Sequence, residues 1–246
     1  MQITQRTVLV VGGTSGMGRG LAQRFADAGS TVVLGGRDPR PQDGFDTVAV
    51  DVTDPGSVTR ARDEVLAAHP DLDVVVTMSG VMLPEDLRDP AHVTAAETTI
   101  ATNLLGTIRV LDAFTPHLLA RGAGTLLTVT SGIAFLPFPL MPTYGASKAG
   151  VHAYTESLRA QLAGTGIEVV ELVPPAVATA GQEKVNPAAL PLDAYLDEVM
   201  DLLAAEPTPH EVLVKGVQMH RWAERDGTYA ELVARRSQSL QTLPGR

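Results

Sequence analysis

Tyr144 and Lys148 stand four residues apart in Tyr144-Gly145-Ala146-Ser147-Lys148, a spacing that puts a phenol and an ammonium on one face of a helix. The preceding run Thr128-Val129-Thr130-Ser131 reads as the end of a strand, so a hydroxyl arrives nearby. Gathered at the C-terminal edge of a parallel sheet, where ligands of open α/β folds bind, these three groups would form an acid/base site. Taken alone, a Tyr and a Lys at this spacing describe an ordinary solvated helix face. A second feature lies near the N-terminus. The apolar run Val8 to Val11 enters Gly12-Gly13-Thr14-Ser15-Gly16-Met17-Gly18 and then an amphipathic segment, the context of a dinucleotide-phosphate loop. Gly12 can turn tightly off the strand, Gly16 lets backbone approach a pyrophosphate, and Gly18 lets the helix pack closely on the sheet, with helix amides facing the anion. The plain alternative is a glycine-rich turn without a ligand. A Walker loop fails because Arg19 and Gly20 stand where Lys and then Ser or Thr are needed. The GxGxxG spacing fails because Gly18 and Gly20 are followed by Gln23.

These groups need a scaffold, and short β-rich runs do alternate with longer segments of helical period, the pattern of crossover units in a parallel sheet. Strands are expected at Thr7–Val11, Thr31–Leu34, Thr47–Val50, Val74–Met78, Thr125–Thr130, Glu168–Val173 and Glu211–Val214. Helices are expected at Met17–Ala28, Pro55–Ala68, Ala95–Leu119, Tyr144–Ala163, Leu192–Ala205 and Met219–Ser237. Gly29 closes the first helix, Asp54 before Pro55 pairs an N-cap with a first-turn proline, and Gly164 to Gly166 ends the fourth. No fixed-period repeat, low-complexity tract or linker divides the chain. The expectation is one α/β domain over residues 1–246 with a helical C-terminal extension from about residue 217.

The 246 residues are 44% hydrophobic and 19% charged, which excludes both a disordered and a membrane-spanning chain. Nineteen Lys and Arg against 28 Asp and Glu give a net charge of -9, so neither nucleic acid nor anionic lipid is expected as a partner. With no cysteine there is no disulfide framework, thiolate nucleophile or cysteine-ligated metal, and cytoplasmic residence fits. The apolar run Val8 to Val11 is too short for the core of a signal peptide. The six histidines are scattered, and His210-Glu211 is followed by Val214 where a zinc-protease helix would place its second His. No metal is expected.

Together these residues resemble the short-chain dehydrogenase/reductase family, in four separated motifs that occur in family order over nearly the whole chain. The glycine loop matches GxxxGxG, with Gly12, Thr14, Ser15, Gly16, Met17 and Gly18 at its cofactor-binding positions. Asp51-Val52 matches the acidic position that holds the adenine, and Asn103 lies in the matching Asn-Leu-Leu-Gly segment. Ser131, Tyr144 and Lys148, separated by 13 and 4 positions, match the catalytic residues. Pro174-Pro175-Ala176-Val177-Ala178-Thr179 looks like the PGxVxT motif that contacts the nicotinamide, through Pro174, Val177 and Thr179, with Pro175 replacing its glycine. Thr77-Met78-Ser79-Gly80 replaces the usual Asn-Asn-Ala-Gly, keeping Ser79 and Gly80 at cofactor positions, and Val11 replaces a Thr. The resemblance implies a Rossmann-like doubly wound parallel sheet of about seven strands with helices on both faces. It implies hydride transfer between nicotinamide and a carbonyl or alcohol carbon, with Tyr144 protonating the oxygen and Lys148 lowering the phenol's pKa and binding the nicotinamide ribose. Ser131 would orient the substrate oxygen, and Asn103 would support a water chain to Lys148. It also implies pairing of the long helices into a homodimer or homotetramer.

The end of the second strand, Val32-Val33-Leu34-Gly35-Gly36-Arg37-Asp38, bears on the cofactor. Gly36 stands where an NAD-preferring enzyme places a carboxylate, and Arg37 can meet a 2′-phosphate with paired charge-assisted hydrogen bonds. NADP(H) is therefore expected in preference to NAD(H); a turn in which Arg37 pairs with Asp38 is the bland alternative. The apolar, proline-broken run from Gly132 to Pro142 is expected to wall an apolar pocket for a small substrate. Met82 and Leu83 form another wall and Ala180–Leu190 a lid; contacts with the core or another subunit would explain the run equally. A non-catalytic NADP(H)-binding redox sensor is the reading from another class, and such a protein has no need of Ser131, Tyr144 and Lys148 together. An epimerase or dehydratase on a related fold would carry an added substrate region for which this chain has little room.

Overall fold

Valine- and leucine-rich runs form the strands of this protein, for which a computed structural model describes residues 1–41, 44–179 and 189–245. The strands are β1 (Thr7–Val11), β2 (Thr31–Gly36), β3 (Asp46–Ala49), β4 (Val74–Thr77), β5 (Gly124–Val129), β6 (Ile167–Leu172), β7 (Val177–Ala178), β8 (Leu190–Pro191) and β9 (Glu211–Val212). Seven of them pair in parallel in the order β3-β2-β1-β4-β5-β6-β9. The helices are α1 (Gly16–Asp27), α2 (Pro55–Ala68), α3 (Val93–Thr99), α4 (Gly106–Arg121), α5 (Pro142–Gln161), α6 (Leu192–Ala204), α7 (Lys215–Arg221) and α8 (Tyr229–Ser237).

Alternation along the strands divides the core into two layers. Val8 and Val10 join Leu34, Val76, Leu127 and Leu172 beneath Phe25 of α1 and Leu196 of α6. Leu9 and Val11 join Val33, Val75 and Val169 beneath Val65 of α2 and Phe114 of α4, with Leu158 of α5 at the margin. This is the doubly wound α/β arrangement expected. The strand order reverses at β1 and β4, which leaves a crevice at their carboxyl ends, and ligands of such sheets bind in that crevice. Local signals act as anticipated at two termini: Asp54 accepts a hydrogen bond from the Gly56 amide at 2.8 Å, and Gly29 takes φ +86° after α1.

Three expectations require correction. The tail does not form one helix over Met219–Ser237. It folds as α7 and α8, separated by a turn in which Gly227 takes φ +71° and the Thr228 amide bonds back to the Ala223 carbonyl at 2.9 Å. The expected helix Ala95–Leu119 starts at Val93 and contains a π-helical turn, Ile100–Leu105, between α3 and α4. The short pair β7 and β8 was not anticipated, since two-residue strands carry no periodicity to read. The expected lid, Ala180–Leu190, falls largely on residues 180–188, which lie outside the described residues.

Candidate active site

The glycine loop is dictated by close approach. A Cβ on Gly18 would lie 2.1 Å from the Gly12 carbonyl oxygen, and one on Gly12 would lie 2.5 Å from the Ser79 nitrogen. Gly12 and Gly16 also take φ +92° and +54°, a region that disfavours side chains. The loop is tied to β2 by the Gly12 amide, which donates to the Gly35 carbonyl at 2.8 Å. With its neighbours it lines a cleft of about 700 Å³. Thr14, Ser15, Met17 and Gly18, then Arg37, Asp51, Val52, Ser79 and Gly80, all face this cleft, so it gathers most of the expected cofactor-binding residues. Thr179 reaches the loop from the opposite side, its Cγ2 3.6 Å from the place of a Gly16 Cβ. Val177 is buried in β7, and the Pro174 carbonyl accepts the Gly132 amide at 2.9 Å, so these two help hold the end of β6 against the loop after β5. Asp51 accepts the Thr53 hydroxyl at 2.7 Å and its amide at 2.9 Å; these bonds and the nearby Arg37 guanidinium hold its carboxyl below the ordinary range.

Lys148 is buried, with 4% of its surface exposed, and its Nζ donates to the Val129 carbonyl at 2.7 Å. Among the described residues no carboxylate compensates this burial, which lowers its pKa to about 8. The ammonium lies 5.9 Å from the centroid of the Tyr144 ring. Ser131 is also buried; its hydroxyl accepts the Ile133 amide at 3.3 Å and interacts with the Tyr144 phenol. The three groups are thus brought together at the ends of β5 and the start of α5. Burial raises the Tyr144 pKa, and Ser131 offsets this only in part. The net shift of the phenol in the protein alone is therefore upward, the opposite of the lowering expected from Lys148.

Asn103 sits in the π-helical turn and uses its side chain as a clamp. Its Oδ1 accepts the Val81 amide at 2.8 Å, while Nδ2 donates to the Val81 carbonyl at 2.9 Å and to Ser147 Oγ at 3.2 Å. The side chain thus holds the loop after β4 against α5. Met78, where the family has Asn, lines the cleft and packs its Cγ 3.1 Å from the place of a Gly18 Cβ.

Two buried carboxylates escaped the sequence reading. Glu85 accepts the Thr143 amide at 3.0 Å and its hydroxyl at 2.8 Å, and meets His92 Nδ1 at 3.2 Å, anchoring the residue before Tyr144. Glu171 accepts Thr130 Oγ1 at 2.6 Å and meets His152 Nδ1 at 2.8 Å. An acidic residue facing inward within the apolar run Ile167-Glu168-Val169-Val170-Glu171-Leu172 was the available signal for the second. The apolar run after Ser131 also proves well anchored. Leu136 is fully buried with Ala223 and Leu232, and Arg236 donates to the Leu136 carbonyl, so the tail packs on this segment.

A measurable consequence follows from the buried lysine. Between pH about 8 and its ordinary value near 10.5 the unfolded chain binds more protons at Lys148 than the folded one, so this group makes stability rise with pH there. Below pH about 8 the full penalty, about 3 kcal/mol, applies. Lys148→Met, losing one hydrogen bond of about 1 kcal/mol, should unfold in urea with about 2 kcal/mol more stability at pH 7 and with no such gain near pH 10.5. A gain equal at both pH values would contradict the buried charge.

Comparison with known proteins agrees with this geometry. The family model described as short chain dehydrogenase matches residues 6–189. The uncharacterized oxidoreductase DltE of Bacillus subtilis is 31% identical over 192 residues, covering 75% of this chain and 76% of that protein. Sulfoacetaldehyde reductase 2 of Chromohalobacter salexigens is 34% identical over 178 residues, covering 68% of this chain and 71% of that protein. A short chain dehydrogenase from Burkholderia cenocepacia, crystallised in complex with NADP, superposes with a TM-score of 0.83 over 95% of this chain and 99% of that one, at 24% identity. The match across residues 6–189, together with these relatives, establishes that the chain belongs to the short-chain dehydrogenase/reductase family of oxidoreductase enzymes.

Proposed function

We propose that this enzyme uses NADPH to transfer a hydride between nicotinamide and the carbonyl or alcohol carbon of a small, apolar substrate, with Tyr144 as general acid/base. The observation that carries the reading is the grouping of Ser131, Tyr144 and buried Lys148 beside a glycine-floored cleft of about 700 Å³. The cleft suits a dinucleotide: a Cβ at Gly12 or Gly18 would collide with backbone, whereas Thr14, Ser15 and Met17 sit at the start of α1, where helix amides favour phosphate. The Burkholderia relative bound to NADP and the reductase from Chromohalobacter support the cofactor and the reaction type. Cytoplasmic residence and assembly into a homodimer or homotetramer belong to the same proposal; among the described residues no helix is long and apolar enough to cross a membrane.

When bound, the nicotinamide supplies or accepts the hydride. Tyr144 gives its phenolic proton to the carbonyl oxygen in reduction and takes it back in oxidation. Ser131, whose hydroxyl meets that phenol, holds the same oxygen in place. Lys148, bonded among the described residues to the Val129 carbonyl, keeps two donors for ribose hydroxyls, and its charge together with that of an oxidised nicotinamide would oppose the upward shift of the phenol. The clamp of Asn103 on Val81 and Ser147 keeps the cofactor-facing loop and α5 in register, beside the proposed water chain to Lys148. The position that would carry a carboxylate in an NAD-preferring enzyme is Gly36, where a Cβ would meet Thr14 Cγ2 at 2.7 Å. Arg37 beside it is exposed and lines the cleft, which supports a 2′-phosphate partner.

Tyr144→Phe should bind NADPH as the wild type does and turn over about a hundredfold more slowly in a screen of aldehydes, ketones and quinones, since one positioned acid contributes about 10²–10⁴. Near-normal turnover contradicts the assignment. Arg37→Leu should lower kcat/KM for NADPH about ten- to a hundredfold and leave that for NADH nearly unchanged, as hydrogen bonds to charged groups contribute roughly 1.5–3 kcal/mol. A wild type that prefers NADH would end the cofactor proposal.

A further inference from the structure

Behind the acid/base groups lies a polar cluster that the chemistry above does not use. Glu171 of β6 has no exposed surface, and each of its carboxylate oxygens has one partner: Oε1 accepts Thr130 Oγ1 at 2.6 Å and Oε2 meets His152 Nδ1 at 2.8 Å. Thr130 separates Val129, whose carbonyl holds the Lys148 ammonium, from Ser131. His152 follows Lys148 by one helical turn on α5 and packs edge-on against Phe135, with ring centroids 4.7 Å apart. One carboxylate therefore grips both the strand end that carries Ser131 and the helix that carries Tyr144 and Lys148. We propose that Glu171 is a positioning residue that fixes the distance between these two elements, and with it the geometry of Ser131, Tyr144 and Lys148.

Burying a carboxylate is unfavourable unless its hydrogen bonds are complete, and apolar replacement of such a group together with its partners is often neutral or stabilising. Fold stability alone is thus a poor explanation for a charge at this place, whereas geometry is a good one. The cluster is internally compensated. Oxygens of Glu156 and Glu211 and a nitrogen of His152 come within 4.8 Å of one another and of Glu171, but Arg159 pairs with Glu156, and Arg221 donates to both oxygens of Glu211 at 2.7 and 2.9 Å. These pairings make it a framework and not a cation site. They extend it to β9 and α7, while the Glu171 amide bonds the His210 carbonyl at 2.8 Å. The backbone of Glu171 thereby pairs with the C-terminal part of the chain, while its carboxylate holds the elements that carry the reacting groups.

The inference rests on the proposed roles of Ser131, Tyr144 and Lys148, and its test separates the two. Turnover of the carbonyl compound reduced fastest by the wild type, NADPH affinity by fluorescence and thermal midpoint are measured for Glu171→Met, Glu171→Gln, Thr130→Val and the double variant Thr130→Val/Glu171→Met, beside Tyr144→Phe. The double variant, which leaves no unpaired Thr130 hydroxyl, should melt within a few degrees of wild type, bind NADPH within about twofold and lose about tenfold or more in kcat, the size expected of a misplacement near 1 Å or less. Glu171→Gln, which still accepts from Thr130, should recover most of that loss. Thr130→Val alone should show a smaller loss of kcat in the same direction, and it decides the matter if the Glu171 variants do not fold. Wild-type kcat in the double variant, or a Thr130→Val kcat equal to wild type, overturns the proposal. An active Tyr144→Phe beside an impaired double variant overturns the phenol's role and leaves the positioning of Glu171 standing.

Discussion

A lysine ammonium buried with one carbonyl partner is a constraint that the rest of the site must satisfy. Among the described residues Lys148 has the Val129 oxygen at 2.7 Å and no carboxylate partner, so its charge is held at a disadvantage that lowers its pKa to about 8. Such a group persists only where β5 and α5 are fixed with respect to one another. Glu171 joins Thr130, at the end of β5, to His152 of α5, and Thr155 of α5 donates to Thr128 Oγ1 of β5 at 2.9 Å, while Asn103 and Glu85 tie the loop after β4 to the start of α5. Tyr144 and Ser131 then meet each other, and Ser131 also accepts the Ile133 amide at 3.3 Å.

The same economy governs the cofactor side. The reversal of strand order at β1 and β4 opens the crevice, and three glycines allow α1 to approach so closely that backbone alone forms the floor. Side chains enter at the ends of the cleft. Arg37 and Asp51 stand at one end, and Gly80, within 3.9 Å of Lys148 Nζ through its missing Cβ, marks the other. The cleft therefore extends from a charged end to a point beside the buried lysine.

Much of this was legible because the fold obeys local rules. Apolar strands buried on both faces, Asp54 before Pro55 and the glycine after α1 declared their elements directly. The motif spacing alone puts Gly12 to Gly18, Ser131, Tyr144 and Lys148 at one sheet edge. What escaped was decided by long-range packing. Glu85 and Glu171 bond partners 58 and 41 residues away, a relation no window of sequence contains. The direction of the Tyr144 shift escaped for a related reason: spacing reveals a neighbouring ammonium but not the burial that raises the phenol. The tail reads as one helix because residues 219–226 hold no proline or glycine, while the turn there is set by Gly227 and by the packing of Leu136 with Ala223 and Leu232.

The central claim is direct hydride transfer from a nicotinamide held in this cleft to a carbonyl carbon beside Tyr144. NADPH carrying deuterium at C4 of the dihydronicotinamide, on one face and then on the other, tests it most directly, with the alcohol product analysed by mass spectrometry. The account predicts one deuterium on the former carbonyl carbon from one of the two labelled forms and none from the other. Product that carries hydrogen from solvent at that carbon with both forms would contradict it.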